Sequence, residues 1–285
     1  LFDKDGEFDS EKTNEKLSKK LSKLDNAVIP GFYGSLPDGT VKTFSRGGSD
    51  ITGSIVARAA RVDIYENWTD VSGFLITDPR IIDNPVGIET ITYKELRELS
   101  YMGAGVLHED AIFPVRKAGI PINIRNTNRP SDEGTWIVES TGQKTEDVLT
   151  GIAGKKDFCT IFITKAMMNS EIGFCRKVLQ AFEENNISIE HMPSGIDTMT
   201  VVVHEDEFMH KEQSVVSTIH RLAEPDSVEI ESGLALIAVV GRGMKSTRGT
   251  AGRIFASLAL VGTTLYALIF LPHFFAPKNN VKNEK

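Results

Sequence analysis

The sequence predicts an α/β protein, with a mainly parallel sheet flanked by helices in its first half and ferredoxin-like βαββαβ units in its second. Strand and helix patterns alternate through the first half, as expected of parallel β–α units. The second half aligns with itself at an offset of 76 residues, which pairs Ile161 with Ile237 and Gly173 with Gly249. The length of 285 residues allows more than one domain, since a domain takes about 100–200 residues.

Composition excludes several classes of protein. With 40% hydrophobic and 25% charged residues, the chain is neither disordered throughout nor collagen- or mucin-like. A net charge of −7 without a long basic run argues against a nucleic-acid partner. Two cysteines, Cys159 and Cys175, are too few for a disulfide framework and lack zinc-site spacing. We therefore expect no metal site built from protein ligands, no signal peptide and a cytoplasmic location.

Patterning divides the first half into short elements. A Lys/Glu-rich surface helix is predicted first, and the apolar periodicity then predicts strands separated by helices. Thr92 and Glu95 form a capping box that marks the start of one helix. The predicted helices cover 11–24, 51–60, 92–101 and 106–118, and the predicted strands cover 27–30, 40–44, 62–65, 121–125 and 135–138.

A glycine-centred loop, Ser45–Asp50, lies between a strand and a helix. Free N–H groups and the positive end of the helix dipole favour an anionic ligand at such a loop. Polar clusters at 69–70 and 77–80 also follow strands. If the sheet is parallel, Arg46, Asp50, Asp70 and Arg80 converge on one rim that suits a phosphorylated ligand and a carboxylate. Taken singly, each cluster could instead be an ordinary turn or helix cap.

Each repeat in the second half reads as a strand, a polar loop ending in glycine, and an amphipathic helix. The first copy continues into a complete βαββαβ unit. Its predicted helices cover 174–185 and 211–222, and its later strands cover 187–192, 199–203 and 228–231.

The second copy follows the first through 234–252 and then departs, because 259–275 is almost continuously apolar. Three interpretations stay open: a transmembrane segment, a buried helix and strand, or an altered reading frame near Ala259. We favour the altered frame because a close repeat stops abruptly, and we expect no membrane partner. The 18-residue uncharged run Ile254–Leu271 is marginal in length for a membrane span.

Six motifs together resemble the aspartokinase family, in order and at family spacing over 27–258. They are Gly31–Ser35, Phe44–Asp50, Trp68–Gly73, Thr77–Arg80, Val106–His108, and Gly241–Met244 with Thr250–Gly252. The resemblance implies an amino-acid-kinase catalytic domain and tandem ACT domains that bind an inhibitory amino acid. It also implies transfer of the ATP γ-phosphoryl group to the β-carboxylate of L-aspartate, giving 4-phospho-L-aspartate on the route to lysine, threonine and methionine.

The implied domains are the carboxyl-side part of the catalytic domain over 1–140, a linker over 141–156, a first ACT domain over 157–226, the start of a second over 227–258, and an aberrant tail over 259–285. Asp50 is the implied catalytic residue, which helps fix the substrate amino group and the catalytic lysine. The implied aspartate-binding residues are Phe32, Arg46, Gly47, Gly48 and Ser49. The implied nucleotide-binding residues are Thr69, Asp70, Leu75, Arg80, Gly105 and Val106, with ATP and Mg²⁺ as cofactors.

Two departures from the family pattern bear on activity. The family's phosphate loop and catalytic lysine would precede residue 1, so we expect this chain alone to be inactive. Gly105 stands where many members place a nucleotide-contacting lysine, which puts that contact in doubt.

The implied effector site lies in the first ACT copy, at Met168, Glu171, Gly173, Phe174, Cys175, Ile189, Glu190 and Ser194. Its two glutamates favour lysine over threonine as the effector, although Met168 and Phe174 could simply pack in the core. The family dimerises through ACT domains, so a homodimer is expected. Two alternatives remain: a non-catalytic amino-acid-binding regulatory chain, and a related kinase of glutamate or a nucleotide.

Overall fold

The computed structural model describes residues 1–44, 47–103, 109–141, 148–245 and 247–260. They form two compact units. Unit 1 contains Leu1–Lys156 and Ala235–Arg248, and unit 2 contains Asp157–Leu234 and the chain from Gly249 onward. None of the described helices is long and apolar enough to cross a membrane.

The described residues of unit 1 form four α-helices and six short strands, together with residues 151–156 and 235–240 of two longer strands. The helices are α1 (Ser10–Leu21), α2 (Gly48–Ala60), α3 (Tyr93–Tyr101) and α4 (Glu109–Ala118). The short strands are β1 (Tyr33–Ser35), β2 (Val41–Thr43), β3 (Tyr65–Thr69), β4 (Thr90–Thr92), β5 (Ile122–Asn126) and β6 (Thr135–Val138).

The main sheet of unit 1 has the strand order β3-β5-β6-β4. The pairings β3–β5 and β4–β6 are parallel, whereas β5–β6 is antiparallel. The predicted mainly parallel sheet is therefore confirmed, with one antiparallel pairing inside it. A separate hairpin joins β1 and β2. Ile91, Ile122, Ile124 and Ile137 are fully buried in the core, against apolar side chains of the helices.

Most predicted elements of unit 1 are present, with two corrections. The predicted strand over 27–30 is wrong, because these residues form no strand and Val28 is fully exposed. The strand predicted over 62–65 instead begins at Tyr65, which pairs with Ile122. Part of the helix predicted over 106–118 lies outside the described residues.

Unit 2 is built around one long strand. This strand, β7 (Gly151–Thr164), lies between β8 (Thr198–His204) and β9 (Ser227–Val240) in the sheet. The first six residues of β7 fall in the segment predicted as a linker. The remaining helices are α5 (Phe174–Glu184), α6 (Glu205–Met209), α7 (Glu212–Ala223) and α8 (Thr250–Leu260).

The strand predicted over 187–192 is wrong. Residues 187–194 run beside β8 but pair with it only at the isolated bridges His191–Val202 and Ser194–Met199. The backbone N–H of Glu190 donates to the Val202 carbonyl at 2.9 Å. Segment 187–194 thus occupies the place of the predicted strand without forming a continuous ladder.

The structure confirms the internal repeat. Strands β7 and β9 begin and end 76 residues apart, as do helices α5 and α8. Gly173 and Gly249, which precede the two helices, have φ angles of 85° and 83°. Residues 261–285, which contain most of the predicted aberrant tail, lie outside the part of the chain that the structure describes.

A buried carboxylate fixes the start of α3 in unit 1. The predicted capping box is present, since the Thr92 side chain accepts from the Glu95 N–H and the Glu95 carboxylate accepts from the Thr92 N–H. Glu95 also accepts a hydrogen bond from Thr150 Oγ1 at 2.5 Å. Its Oε1 lies 3.1 Å from Arg242 Nε, and the two side chains are only 7% and 25% exposed. One carboxylate therefore ties α3 to residues that precede β7 and follow β9.

We expect Glu95→Ala to lower the free energy of unfolding of unit 1 by about 2–4 kcal/mol, because it leaves Arg242 and Thr150 without their shared acceptor. The measurement is urea unfolding followed by tryptophan fluorescence, since both tryptophans, Trp68 and Trp136, lie in this unit. Exposed Glu89 in the same unit is the control. Equal unfolding midpoints for Glu95→Ala and Glu89→Ala would contradict this role for Glu95.

Candidate functional site

The N-terminus of α2 begins at a glycine in a left-handed conformation. Gly47, the N-cap, has φ 57° and ψ 24°, and no side chain among the described residues caps the helix. Glycine reaches this left-handed conformation without steric cost. The N–H groups of Gly48 and Ser49 lie in the first turn, where N–H groups lack partners within the helix. Arg46 lies outside the described residues, so its predicted carboxylate contact is untested.

Phe32 lies directly against the start of α2. Its backbone N–H donates to Thr52 Oγ1 at 3.0 Å, and that hydroxyl donates to the Gly48 carbonyl at 2.7 Å. A Cβ on Gly48 would lie 2.6 Å from the Phe32 ring. Phe32 has φ 80°, a conformation that costs a non-glycine residue about 1–3 kcal/mol. The fold therefore holds Phe32 close to Gly48, the first residue of α2.

Asp50 is held by two residues of β3. Asn67 Nδ2 donates to Asp50 Oδ1 at 3.0 Å and to the Tyr65 hydroxyl at 3.1 Å. The Tyr65 hydroxyl in turn donates to the Asp50 backbone carbonyl at 3.3 Å. Burial, with a smaller contribution from the negative charge of Asp50, raises the pKa of Tyr65. The phenol is therefore neutral at physiological pH.

Thr69 and Asp70 mark the carboxyl end of β3, two residues beyond Asn67. The Thr69 carbonyl accepts from both the N–H and the hydroxyl of Thr127, at 2.8 and 2.9 Å. The Asp70 side chain is exposed and its Oδ1 accepts from Thr69 Oγ1 at 3.3 Å. The backbone here is fixed while the polar side chains stay accessible to a ligand.

The turn after β3 is anchored from the neighbouring strands. Asn126 Nδ2 donates to Ser72 Oγ, which donates to Asp132 at 2.6 Å. Gly73 has φ 93°, and a Cβ there would lie 2.3 Å from Thr135 Oγ1. The predicted nucleotide-binding turn is therefore rigid where it leaves the sheet.

The other predicted nucleotide-binding residues that the structure describes lie outside the strands of the sheet. Leu75 is 37% exposed and forms a bridge with Gly87. The Arg80 guanidinium contacts both carboxylate oxygens of Asp78, and this partner raises the pKa of Arg80. Because Asp78 already occupies the guanidinium, a phosphate would have to compete for it. Gly105 and Val106 lie outside the described residues.

The first part of the predicted effector site is the start of α5 in unit 2. Gly173 caps this helix with φ 85°, and no side chain within the described ranges accepts from its first turn. Met168 and Phe174 are 5% and 2% exposed and belong to the core of the unit. Cys175, in the first turn, is partly exposed.

Glu171 is already paired inside the protein. Its two carboxylate oxygens lie 2.7 Å from Lys165 Nζ and 2.7 Å from Lys177 Nζ. These lysines lower the pKa of Glu171. The carboxylate is therefore ionised and neutralised by two cations, which leaves it poorly suited to a third.

Glu190, whose backbone pairs with β8, is the more enclosed of the two acidic groups in the predicted effector set. Its side chain is 8% exposed and its Oε1 lies 3.7 Å from His204 Nε2. Ile189 packs against the core, whereas Ser194 is exposed. Glu190 therefore lies near a histidine, whereas Glu171 is paired with two lysines.

A cavity of about 600 Å³ in unit 1 contains none of the predicted site residues. It is open to solvent and lined by the carboxyl-terminal parts of α1 and α2 and by the extended segment between Leu24 and Ile29. The predicted site is instead defined by backbone geometry and hydrogen bonding.

Comparisons with known proteins agree with this architecture. Residues 4–126 match the amino acid kinase family. Aspartokinase 3 of Bacillus subtilis is 46% identical over 233 residues, which cover 81% of this chain. The crystal structure of Clostridium acetobutylicum aspartate kinase superposes with a TM-score of 0.85 and 55% identity over 91% of this chain. The chain belongs to the aspartokinase family.

Two structures of E. coli aspartokinase III, each 27% identical, are also similar. One is in complex with aspartate and ADP and has a TM-score of 0.65, covering 88% of this chain and 57% of that one. The other is in complex with lysine and aspartate and has a TM-score of 0.60, covering 81% of this chain and 51% of that one. This chain spans 51% of the length of the B. subtilis protein and 60% of the length of the C. acetobutylicum chain.

Sequence reasoning missed Tyr65 and Asn67, the two residues that hold Asp50. Tyr65 was predicted only as the end of a strand. An asparagine within a strand gives little signal by itself, because polar residues at strand positions usually face solvent. Asn67 is nevertheless 9% exposed.

The two cysteines should differ in reactivity. Burial raises the pKa of Cys159 to about 11, so at pH 8 we expect this thiol to resist a disulfide reagent while partly exposed Cys175 reacts. The measurement is the number of thiols titrated by DTNB in native protein and in Cys175→Ser. A fast-reacting thiol in native Cys175→Ser, whose one cysteine is Cys159, would contradict the burial of Cys159.

Proposed function

We propose that this chain provides aspartate- and nucleotide-binding residues of an aspartate kinase, which transfers the ATP γ-phosphoryl group to the β-carboxylate of L-aspartate. The observation that carries the proposal is the N-terminus of α2, which no side chain of the described residues caps, beside the Asp50 carboxylate. Its relatives are aspartokinases, and E. coli aspartokinase III is described in complex with aspartate and ADP.

The site suits the two charges on the α-carbon of aspartate. An α-carboxylate would accept hydrogen bonds from the N–H groups of Gly48 and Ser49 at the positive end of α2. Arg46, at the same loop, is suited to grip it bidentately. Asp50 would bind the α-ammonium group, and the Phe32 ring would bound the pocket. These contacts leave the β-carboxylate as the group that reacts.

The reaction requires that the two substrates be positioned against each other and that their negative charges be neutralised. The β-carboxylate is already a nucleophile at neutral pH, so the reaction needs no general base. The difficulty is the approach of one anion to another, which is overcome by fixed geometry and cationic groups. Asp50 acts here by orienting the substrate rather than by accepting a proton.

We place the nucleotide at the end of β3, with Thr69 and Asp70 near its ribose, Leu75 near its base and Arg80 near its phosphates. Gly105 and Val106 complete this proposed set. Within the described residues, no group of three or more His, Cys, Asp or Glu side chains could hold a metal ion. We propose that Mg²⁺ would be held mainly by phosphate oxygens and would supply cationic stabilisation of the transferring group.

The product, 4-phospho-L-aspartate, would feed lysine, threonine and methionine biosynthesis. Cys159 and Cys175 are both free, which supports a cytoplasmic setting for this reaction. A homodimer formed through the ACT domains completes the proposal.

Aspartate binding tests the proposed substrate site. We expect isothermal calorimetry to show tighter binding of L-aspartate than of succinate, which has both carboxylates but lacks the ammonium group. Asp50→Asn should reduce this preference about tenfold, since it removes a charged partner worth about 1.5 kcal/mol. Asp63→Asn, a change of an exposed aspartate in the same unit, should leave the preference unchanged.

No binding of aspartate, or an equal preference in Asp50→Asn and the wild type, would sink the proposed substrate site. Formation of aspartyl hydroxamate from ATP, Mg²⁺ and aspartate measures catalysis separately. Hydroxamate formed by this chain would support the proposed reaction directly.

We also propose lysine as the allosteric effector of unit 2. Support comes from the open start of α5 and the enclosed Glu190 carboxylate. The lysine complex of E. coli aspartokinase III shows that a relative binds this amino acid. The lysine carboxylate would bind at the α5 N-terminus and an ammonium group at Glu190. Met168, Phe174, Cys175, Ile189 and Ser194 would bound this site.

Calorimetry with lysine and threonine tests the effector proposal. Lysine should bind more tightly than threonine, and Glu190→Gln should weaken lysine binding about tenfold, because a charged hydrogen bond contributes about 1.5–3 kcal/mol. Glu183→Gln, on the exposed face of α5, serves as the control. An unchanged lysine affinity in Glu190→Gln would reject the assignment.

A further inference from the structure

The Asn67 side chain is a buried amide inside the main sheet of unit 1. It is 9% exposed, and burying an amide without hydrogen bonds is costly. Nδ2 donates to Asp50 Oδ1 and to the Tyr65 hydroxyl, at 3.0 and 3.1 Å. Because an ionised carboxylate can only accept, the amide nitrogen must face Asp50. The contact therefore fixes the orientation of both side chains.

The Tyr65 hydroxyl completes the arrangement. It accepts from Asn67 and donates to the Asp50 carbonyl at 3.3 Å, so three hydrogen bonds connect the three residues. Gly53, one turn along α2 from Asp50, makes room for this hydroxyl, since a Cβ there would lie 2.5 Å from it. The glycine at position 53 therefore allows the Tyr65 side chain of β3 to pack closely against α2.

The chemistry of these partners matters for the charge on Asp50. An asparagine amide holds a carboxylate in place without neutralising it, unlike the lysines that pair with Glu171 in unit 2. A neutral phenol likewise adds no positive charge. Within the described part of the chain, the two side chains that hold Asp50 therefore carry no positive charge.

We propose that Asn67 and Tyr65 are positioning residues, which hold the Asp50 carboxylate in the orientation that receives the α-ammonium group of the substrate. This inference rests on the proposed function, since it assigns the two residues to the same aspartate site. They act through Asp50 and do not touch the substrate. Selectivity for an amino acid over the corresponding amine-free dicarboxylate then depends on residues outside the glycine loop.

The test compares L-aspartate and succinate affinities by calorimetry in Asn67→Leu, Tyr65→Phe and a matched control, Asn123→Leu. Asn123 is a fully buried asparagine on the neighbouring strand β5, whose amide donates to backbone carbonyls of Glu133 and Thr135 rather than to Asp50. Asn67→Leu should cut the preference for aspartate about 5–10-fold, and Tyr65→Phe about 2–3-fold. Succinate affinity should change less than twofold, and Asn123→Leu should keep the wild-type preference.

The outcomes distinguish the positioning role of Asn67 and Tyr65 from the proposed substrate site at Asp50. If Asp50→Asn loses the preference and Asn67→Leu and Tyr65→Phe keep it, the positioning role is wrong and the proposed substrate site stands. If Asp50→Asn keeps the preference, the proposed site is wrong. An equal loss in Asn123→Leu would show a general effect of sheet disruption and overturn the assignment to Asn67.

A second readout covers variants that fold poorly or bind no ligand. Titration of the Tyr65 ring carbon by ¹³C NMR should show a lower pKa in Asp50→Asn, because a nearby negative charge is removed. The pKa should rise in Asn67→Leu, because the phenolate loses a donor. Changes of the Tyr65 pKa in these directions would support the hydrogen-bond network without any measurement of aspartate binding. A Tyr65 pKa that is unchanged in both variants would overturn the network.

Discussion

The close approach of Phe32 to the first turn of α2 is the constraint on which the proposed substrate site depends. It requires a glycine at position 48, because any Cβ would meet the Phe32 ring or backbone. Gly47 begins the helix in a left-handed conformation, and no side chain of the described residues caps it. The same geometry thus shapes a pocket and leaves helix N–H groups for an anion. Conformational strain at Phe32 is maintained by hydrogen bonds to Thr52 and Phe44.

A second constraint organises another part of unit 1. Glu95 accepts from Thr92 and Thr150 and pairs with Arg242, so one buried carboxylate joins segments distant in the sequence. Arg242 belongs to the glycine-rich motif that follows β9, one of the motifs that carried the resemblance to the family. Part of the family signature therefore has a structural role within unit 1. The two carboxylates differ in purpose: Glu95 is paired with a cation, whereas Asp50 is held by neutral donors.

The sequence predicted those features whose signals are local or repeated. The capping box at Thr92 and the 76-residue repeat needed no knowledge of tertiary contacts, and both are present in the structure. The strand predictions over 27–30 and 187–192 failed because a strand needs a continuous partner, and an apolar run alone does not reveal whether one exists. Asn67 could not be recognised because its role depends on a helix that begins 19 residues earlier. The contacts of Glu171 with Lys165 and Lys177 could likewise not be predicted, because a spacing of six residues on either side does not match a helical i, i+4 pair.

The central claim is that the start of α2 in unit 1 binds the substrate amino acid. The most direct measurement is an ¹⁵N–¹H NMR titration of the labelled chain with L-aspartate. The account predicts that the backbone amides of Gly47, Gly48 and Ser49 shift together with the side-chain amide of Asn67, all with one dissociation constant. Shifts confined to the start of α5 and segment 187–194 of unit 2 would contradict it.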